Sequence, residues 1–92
     1  MKKILHINLK AKYFNEIKQG IKPFEFRLKN EYWTKRLVNK NYDELYIKLG
    51  YPKANDEKRI IKFPYIGYEV QNITHSEFGT NTVEVFAIKI KY

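Results

Sequence analysis

Within a dozen residues the chain changes its hydrophobic period, and that switch limits how it can fold. Residues 11–19 read as a short amphipathic helix whose apolar side carries Phe14 and Ile17, with Tyr13 at its margin. Gly20 suits a left-handed helix cap. From Phe24 the pattern alternates, with Phe24, Phe26 and Leu28 on one face and Glu25 and Arg27 on the other. This strand is expected to bury its two phenylalanines and to present a carboxylate and a guanidinium on its other side, with Lys22 at its mouth. As a plain surface pair, Glu25 and Arg27 would stabilise the fold by about 0 to 1 kcal/mol. Ionisable groups gathered on a rigid strand beside a helix end are also where function tends to be built.

The remaining periodicities extend the pattern to the order β-α-β-α-β-β-β-β. Residues 3–9 alternate as a half-buried strand, with Leu5, Ile7 and Leu9 opposite His6 and Asn8. Asn30 can cap a second helix, with Trp33 and Leu37 on one face and a break at Asn39-Lys40-Asn41. Residues 44–49 form a third strand, and Gly50 to Glu57 a loop. Strands follow over 58–63 and 68–73, with Pro64 and Gly67 marking a bend between them. A polar loop spans Thr74 to Asn81 around His75, Phe78 and Gly79. The last strand, 82–91, is apolar on both faces, which suits a central position or barrel closure. The expected fold is a single α+β domain over residues 1–92, a small, partly closed β-barrel of five to six mostly antiparallel strands with two short helices.

Charge and composition bound the function. The net charge of +8 arises entirely in the first 40 residues, which hold 11 Lys/Arg against 3 Asp/Glu; residues 41–92 hold 7 of each. If those cations share a face, it attracts polyanions by counterion release. A Lys-, Asn- and Ile-rich composition alone would also give a basic chain. There is no cysteine, and only His6 and His75 could supply imidazole, so disulfides, thiolate chemistry and a metal site are not expected. No cofactor is implied. The N-terminus is too short and polar for a signal peptide, and no apolar run reaches the length of a membrane span, so a cytoplasmic location away from membranes is expected.

Three further groups could meet a ligand. Tyr32, Trp33, Lys35 and Arg36 interleave rings and cations as single-stranded nucleic acid requires; Trp33 reads better as core, and Lys35 and Arg36 as surface contacts. Gly50-Tyr51-Pro52 could hold Tyr51 over a ligand, with Lys53, Lys58 and Arg59 nearby; Asp56 and Glu57 dilute that patch, and a solvated loop fits it as well. His75 could shuttle a proton or meet a phosphate.

Gly20, Lys22, Glu25 and Arg27, placed after a strand and a helix, make the chain resemble an ASCH domain of the PUA-like superfamily. The likeness extends to Tyr32 through Leu37, Gly50-Tyr51-Pro52, Thr74-His75, Phe78-Gly79 and the closing Val83 to Ile88. It covers nearly the whole length and is strongest to the short stand-alone members of bacteria and their phages. The resemblance implies a PUA-like barrel with a cleft lined by Lys22, Glu25 and Arg27 that binds RNA or another nucleic acid. Beside Lys22, Glu25 and Arg27, the residues themselves offer Lys35, Arg36, Tyr51, Lys53 and Arg59 as further nucleic-acid contacts, and the resemblance favours His75 as another. Some relatives hydrolyse an acetyl amide of modified cytidine; there a threonine nucleophile stands where this chain has Glu25, and many relatives have threonine in the place of Pro23. As an enzyme, the chain would use Glu25 as general base and Lys22 as electrostatic stabiliser in a hydrolase acting on modified nucleosides or RNA. A third class is a protein-interaction module, such as an inhibitor presenting its basic face to an acidic partner.

Overall fold

The computed structural model describes residues 1–76 and 79–92; Glu77 and Phe78, both within the polar loop read from the sequence, lie outside the described residues. The element order is β1 (Ile4–Leu9), α1 (Ala11–Lys18), β2 (Phe24–Leu28), α2 (Glu31–Leu37), β3 (Glu44–Leu49), β4 (Ile60–Pro64), β5 (Tyr68–Ile73) and β6 (Val83–Lys89). A 3-10 turn, Glu57–Arg59, takes the place of the start of the expected 58–63 strand.

The local signals act as their chemistry requires. Gly20 has φ +78°, and it closes α1 with Gly20 N–H donating to Ile17 O and Ile21 N–H to Glu16 O, the paired bonds of a Schellman cap. Asn30 caps α2, its side-chain oxygen accepting from Trp33 N–H at 2.9 Å.

Six strands make two separate three-stranded sheets, ordered β1-β3-β4 and β2-β6-β5. β1 runs parallel to β3, and the other pairings are antiparallel. β6, apolar on both faces, is the central strand of its sheet. The sheets share one core: Leu5, Ile7, Leu45 and Ile47 from the first meet Phe86 and Ile88 from the second, and Phe14, Ile17 and Leu37 close it from the helices. Burying such side chains stabilises the fold by about 1.5 to 3 kcal/mol each.

Two expectations need correction. The expected partly closed barrel is instead two separate sheets on one core. Only residues 65–67 separate β4 from β5, so the strands follow one another around the core, but β1 and β2 are edges of different sheets and, among the described residues, no ladder joins them. Nor does β2 bury its phenylalanines. Its alternation is as read, but Glu25 is the buried residue, at 3% exposure, while Phe24 and Phe26 are half-buried and Leu28 is exposed. Glu25 and Arg27 pair with Ile88 and Phe86 of β6, so they share the core-facing side. The sequence rule that puts carboxylates outside fails here because this one is neutralised from two sides.

Candidate functional site: a basic cleft at the open margin

The cleft forms where the edge strands β1 and β2 of the two sheets meet without a ladder. At the β1/β2 margin a side chain replaces the missing ladder: Arg27 Nη2 donates to the Asn8 carbonyl of β1 at 3.1 Å. Beside this bridge lies a cleft of about 360 Å³, bounded by Asn8, Tyr13, Lys22, Glu25, Arg27 and His75, with Lys10 also on its wall.

Glu25 is its anchor. Lys22 Nζ donates to Oε1 at 2.6 Å, and Arg27 Nη2 lies 3.2 Å from Oε2. The side chains of Glu25, Lys22 and Arg27 are 4%, 17% and 24% exposed, so the carboxylate is enclosed while both cations reach the cleft surface. A buried carboxylate is tolerated only when paired and hydrogen-bonded. With Lys10, the cleft wall carries three cations against one carboxylate, a net positive field in a concave site.

Backbone features fix these groups. The Gly20 cap turns the chain out of α1, and Ile90 N–H donating to Pro23 O seats the start of β2. Tyr92 Oη donates to the Lys22 carbonyl at 2.6 Å while its ring meets Phe63 edge-on at 5.6 Å, tying the C-terminus to the motif. Rings frame the cations. Lys22 Nζ sits 4.8 Å from the Tyr13 ring centre, and the Tyr13 and His75 rings lie 6.2 Å apart, tilted by 53°. Arg27 Cζ lies 5.3 Å from the Trp33 ring, and Arg36 Cζ 5.5 Å from the same ring. Both guanidiniums keep a buried Nε without a hydrogen-bond partner among the described residues.

Of the residues expected at the site, Lys22, Glu25, Arg27 and His75 are brought together. Arg36 meets the group through the Trp33 ring. Lys35 pairs with Glu31 in solvent at 3.1 Å. Tyr51 is exposed, as is Lys53, and Arg59 lies 3.6 Å from Asp56; these three sit on the loop at the Leu9/Leu49 end of the first sheet rather than on the cleft wall. Asn8, Lys10 and Tyr13 are cleft residues that sequence reasoning did not select. Asn8 lay in view on the polar side of β1, but nothing local says that β1 borders β2. Among the described residues no group of three His, Asp or Glu could hold a metal ion, and no helix is long and apolar enough to cross a membrane.

The fold and site define an α+β protein with two sheets on one core and a basic, ring-framed cleft at the open margin. No family model, curated protein or solved structure matches the chain.

Proposed function

We propose that this chain is a nucleic-acid-binding module of ASCH type, an open variant of the PUA-like barrel, that works in the cytoplasm and seats one nucleotide of an RNA strand in the Lys22/Glu25/Arg27 cleft. The observation that carries the reading is the enclosed Glu25 carboxylate held by two cations at the wall of an open cationic cleft. Glu25, enclosed and held through both oxygens, sets Lys22 and Arg27 at the cleft surface where a nucleotide would meet them. Lys10, Lys22 and Arg27 suit phosphate, and the Tyr13 and His75 rings suit a stacked base. In the hydrolase alternative Glu25 would take a proton; an anion whose two oxygens both meet cations is better arranged to hold than to abstract.

The test is fluorescence anisotropy with single-stranded RNA and DNA at low and physiological salt, for the wild type and Arg27→Ala. Salt-sensitive RNA binding that Arg27→Ala weakens is the expected result. Binding absent even at low salt would end this reading.

A further inference from the structure

Outside the cleft, the solvent face of the β1-β3-β4 sheet carries an unusual set of side chains. The ladder register brings His6, Tyr46 and Lys62 side by side across the three strands, and Asn8, Lys48 and Ile60 form the next row. His6 meets the Tyr46 ring edge-on at 5.6 Å, and Lys62 Nζ lies 5.2 Å from the same ring. His6 and Lys62 are exposed, Tyr46 and Lys48 half-buried. Glu44, an acidic neighbour on this face, accepts from Lys2 at 2.9 Å and from Tyr46, while Lys48 and Lys62 keep the rows beside it cationic.

This face is continuous with the cleft. Asn8 belongs to both: it stands two residues from His6 on β1, and its carbonyl receives Arg27. α2 makes a second link. Its Trp33 ring carries Arg27 and Arg36, and Arg36 also lies 5.3 Å from Tyr32, which is 60% exposed. The Arg36 charge acts on His6, as does that of Lys48. Cations and rings therefore alternate along α2 beside the cleft, and again across the sheet face that Asn8 joins to it. Single strands are bound by such rows without reading sequence, because bases stack on rings and guanidinium planes while cations meet successive phosphates.

We propose that the row Arg27, Trp33, Arg36, His6, Tyr46 and Lys62 is a track for a single-stranded nucleic acid, which runs from the cleft over the outer face of the β1-β3-β4 sheet. The proposal rests on the cleft reading for where the strand ends, but its surface is separate. Binding then grows with oligonucleotide length, and the two regions respond to different substitutions.

The experiment compares a dinucleotide with an oligonucleotide of about twelve residues, a length within the span of single-strand sites. Both are titrated against the wild type, Tyr46→Ala, Lys62→Gln and Arg27→Ala, with circular dichroism melts confirming that each is folded. Tyr46→Ala is expected to weaken the long probe about tenfold, the effect of one lost stacking contact, and to leave the dinucleotide unchanged. Lys62→Gln, a conservative surface change, should weaken the long probe and lower its salt slope by about one. Long-probe affinity unchanged in both sheet variants would overturn the track, as would equal losses for the two probes. A long probe sensitive to Tyr46→Ala but indifferent to Arg27→Ala would instead overturn the cleft reading and leave the sheet face as the binding surface.

Discussion

Glu25 stands directly opposite Ile88 in the β2–β6 ladder, so a carboxylate occupies a core-facing position beside a fully buried isoleucine. It is tolerated there because Lys22 and Arg27 each take one of its oxygens. Glu25→Gln keeps the shape and removes the charge both cations rely on. Breaking a buried ion pair from one side costs about 3 to 5 kcal/mol; the partial exposure of both cations lowers the expectation to about 2 to 4 kcal/mol. Lys22→Ala and Arg27→Ala should each cost less, because Glu25 keeps its other partner. Urea denaturation of the three variants checks this order, and a neutral Glu25→Gln would show that the triad does not hold the margin.

How far the sequence could be read follows from the range of each interaction. The Gly20 cap, the Asn30 cap and the strands at 44–49 and 68–73 depend on neighbours within a few residues, and all are found where the pattern puts them. The inward face of β2 does not follow from polarity alone, which decides it only when charges are unpaired; Lys22 and Arg27 reverse the preference. The open margin was hidden for another reason. Whether β1 pairs with β2 or with β3 is a long-range choice, and the parallel β1–β3 pairing that separates the sheets leaves no mark in either strand's own alternation. Asn8, Lys10 and Tyr13 join the cleft only through that choice.

Arg27 bonds to Glu25 and to the Asn8 carbonyl, and it also packs on Trp33, so its removal should have two separable effects. If it meets a phosphate, Arg27→Ala lowers the slope of log affinity against log salt by about one and weakens binding at every salt concentration. Arg27→Lys keeps the charge but not the planar fork, and should recover the slope more fully than the affinity. A salt titration of both variants measures this; equal slopes for wild type and Arg27→Ala would remove Arg27 from phosphate contact.

His6 supplies a pH dependence at neutral to mildly acidic values. Desolvation by its packed neighbours, then the charges of Lys48 and Arg36, hold the imidazole below the ordinary 6.5 although the residue is largely exposed. The ring also meets Tyr46. A base that protonates less readily in the folded chain than in the unfolded one takes nothing from stability above 6.5. As pH falls through 6.5 the unfolded chain takes up the proton first, and stability declines until the lower folded-state value is passed. Glu44 acts at lower pH: hydrogen bonds from Lys2 and Tyr46 depress its carboxyl below 4.5, and its contribution is lost as pH falls through that depressed value. Melting temperatures of wild type and His6→Asn between about pH 8 and pH 5 should converge or cross toward the acid end, with the variant the flatter of the two. Identical slopes would mean that His6 titrates as it does in the unfolded chain.

Asn30 links helix stability to the site. Its side chain accepts from Trp33 N–H, and the Trp33 ring carries both Arg27 and Arg36. Asn30→Ala removes the cap of a seven-residue helix, at a cost of about 1 kcal/mol. For a domain of this size that lowers the melting temperature by roughly 4 to 8 °C. Asn30→Ser restores an accepting oxygen and should restore most of the loss, whereas Asn30→Gly should recover nearly as much because glycine is itself a fair cap. The test of the link is binding: if α2 positions the Trp33 stack, Asn30→Ala weakens RNA binding at a temperature where the variant is fully folded, and Asn30→Ser recovers it. Stability lost with affinity intact would confine Asn30 to holding the helix.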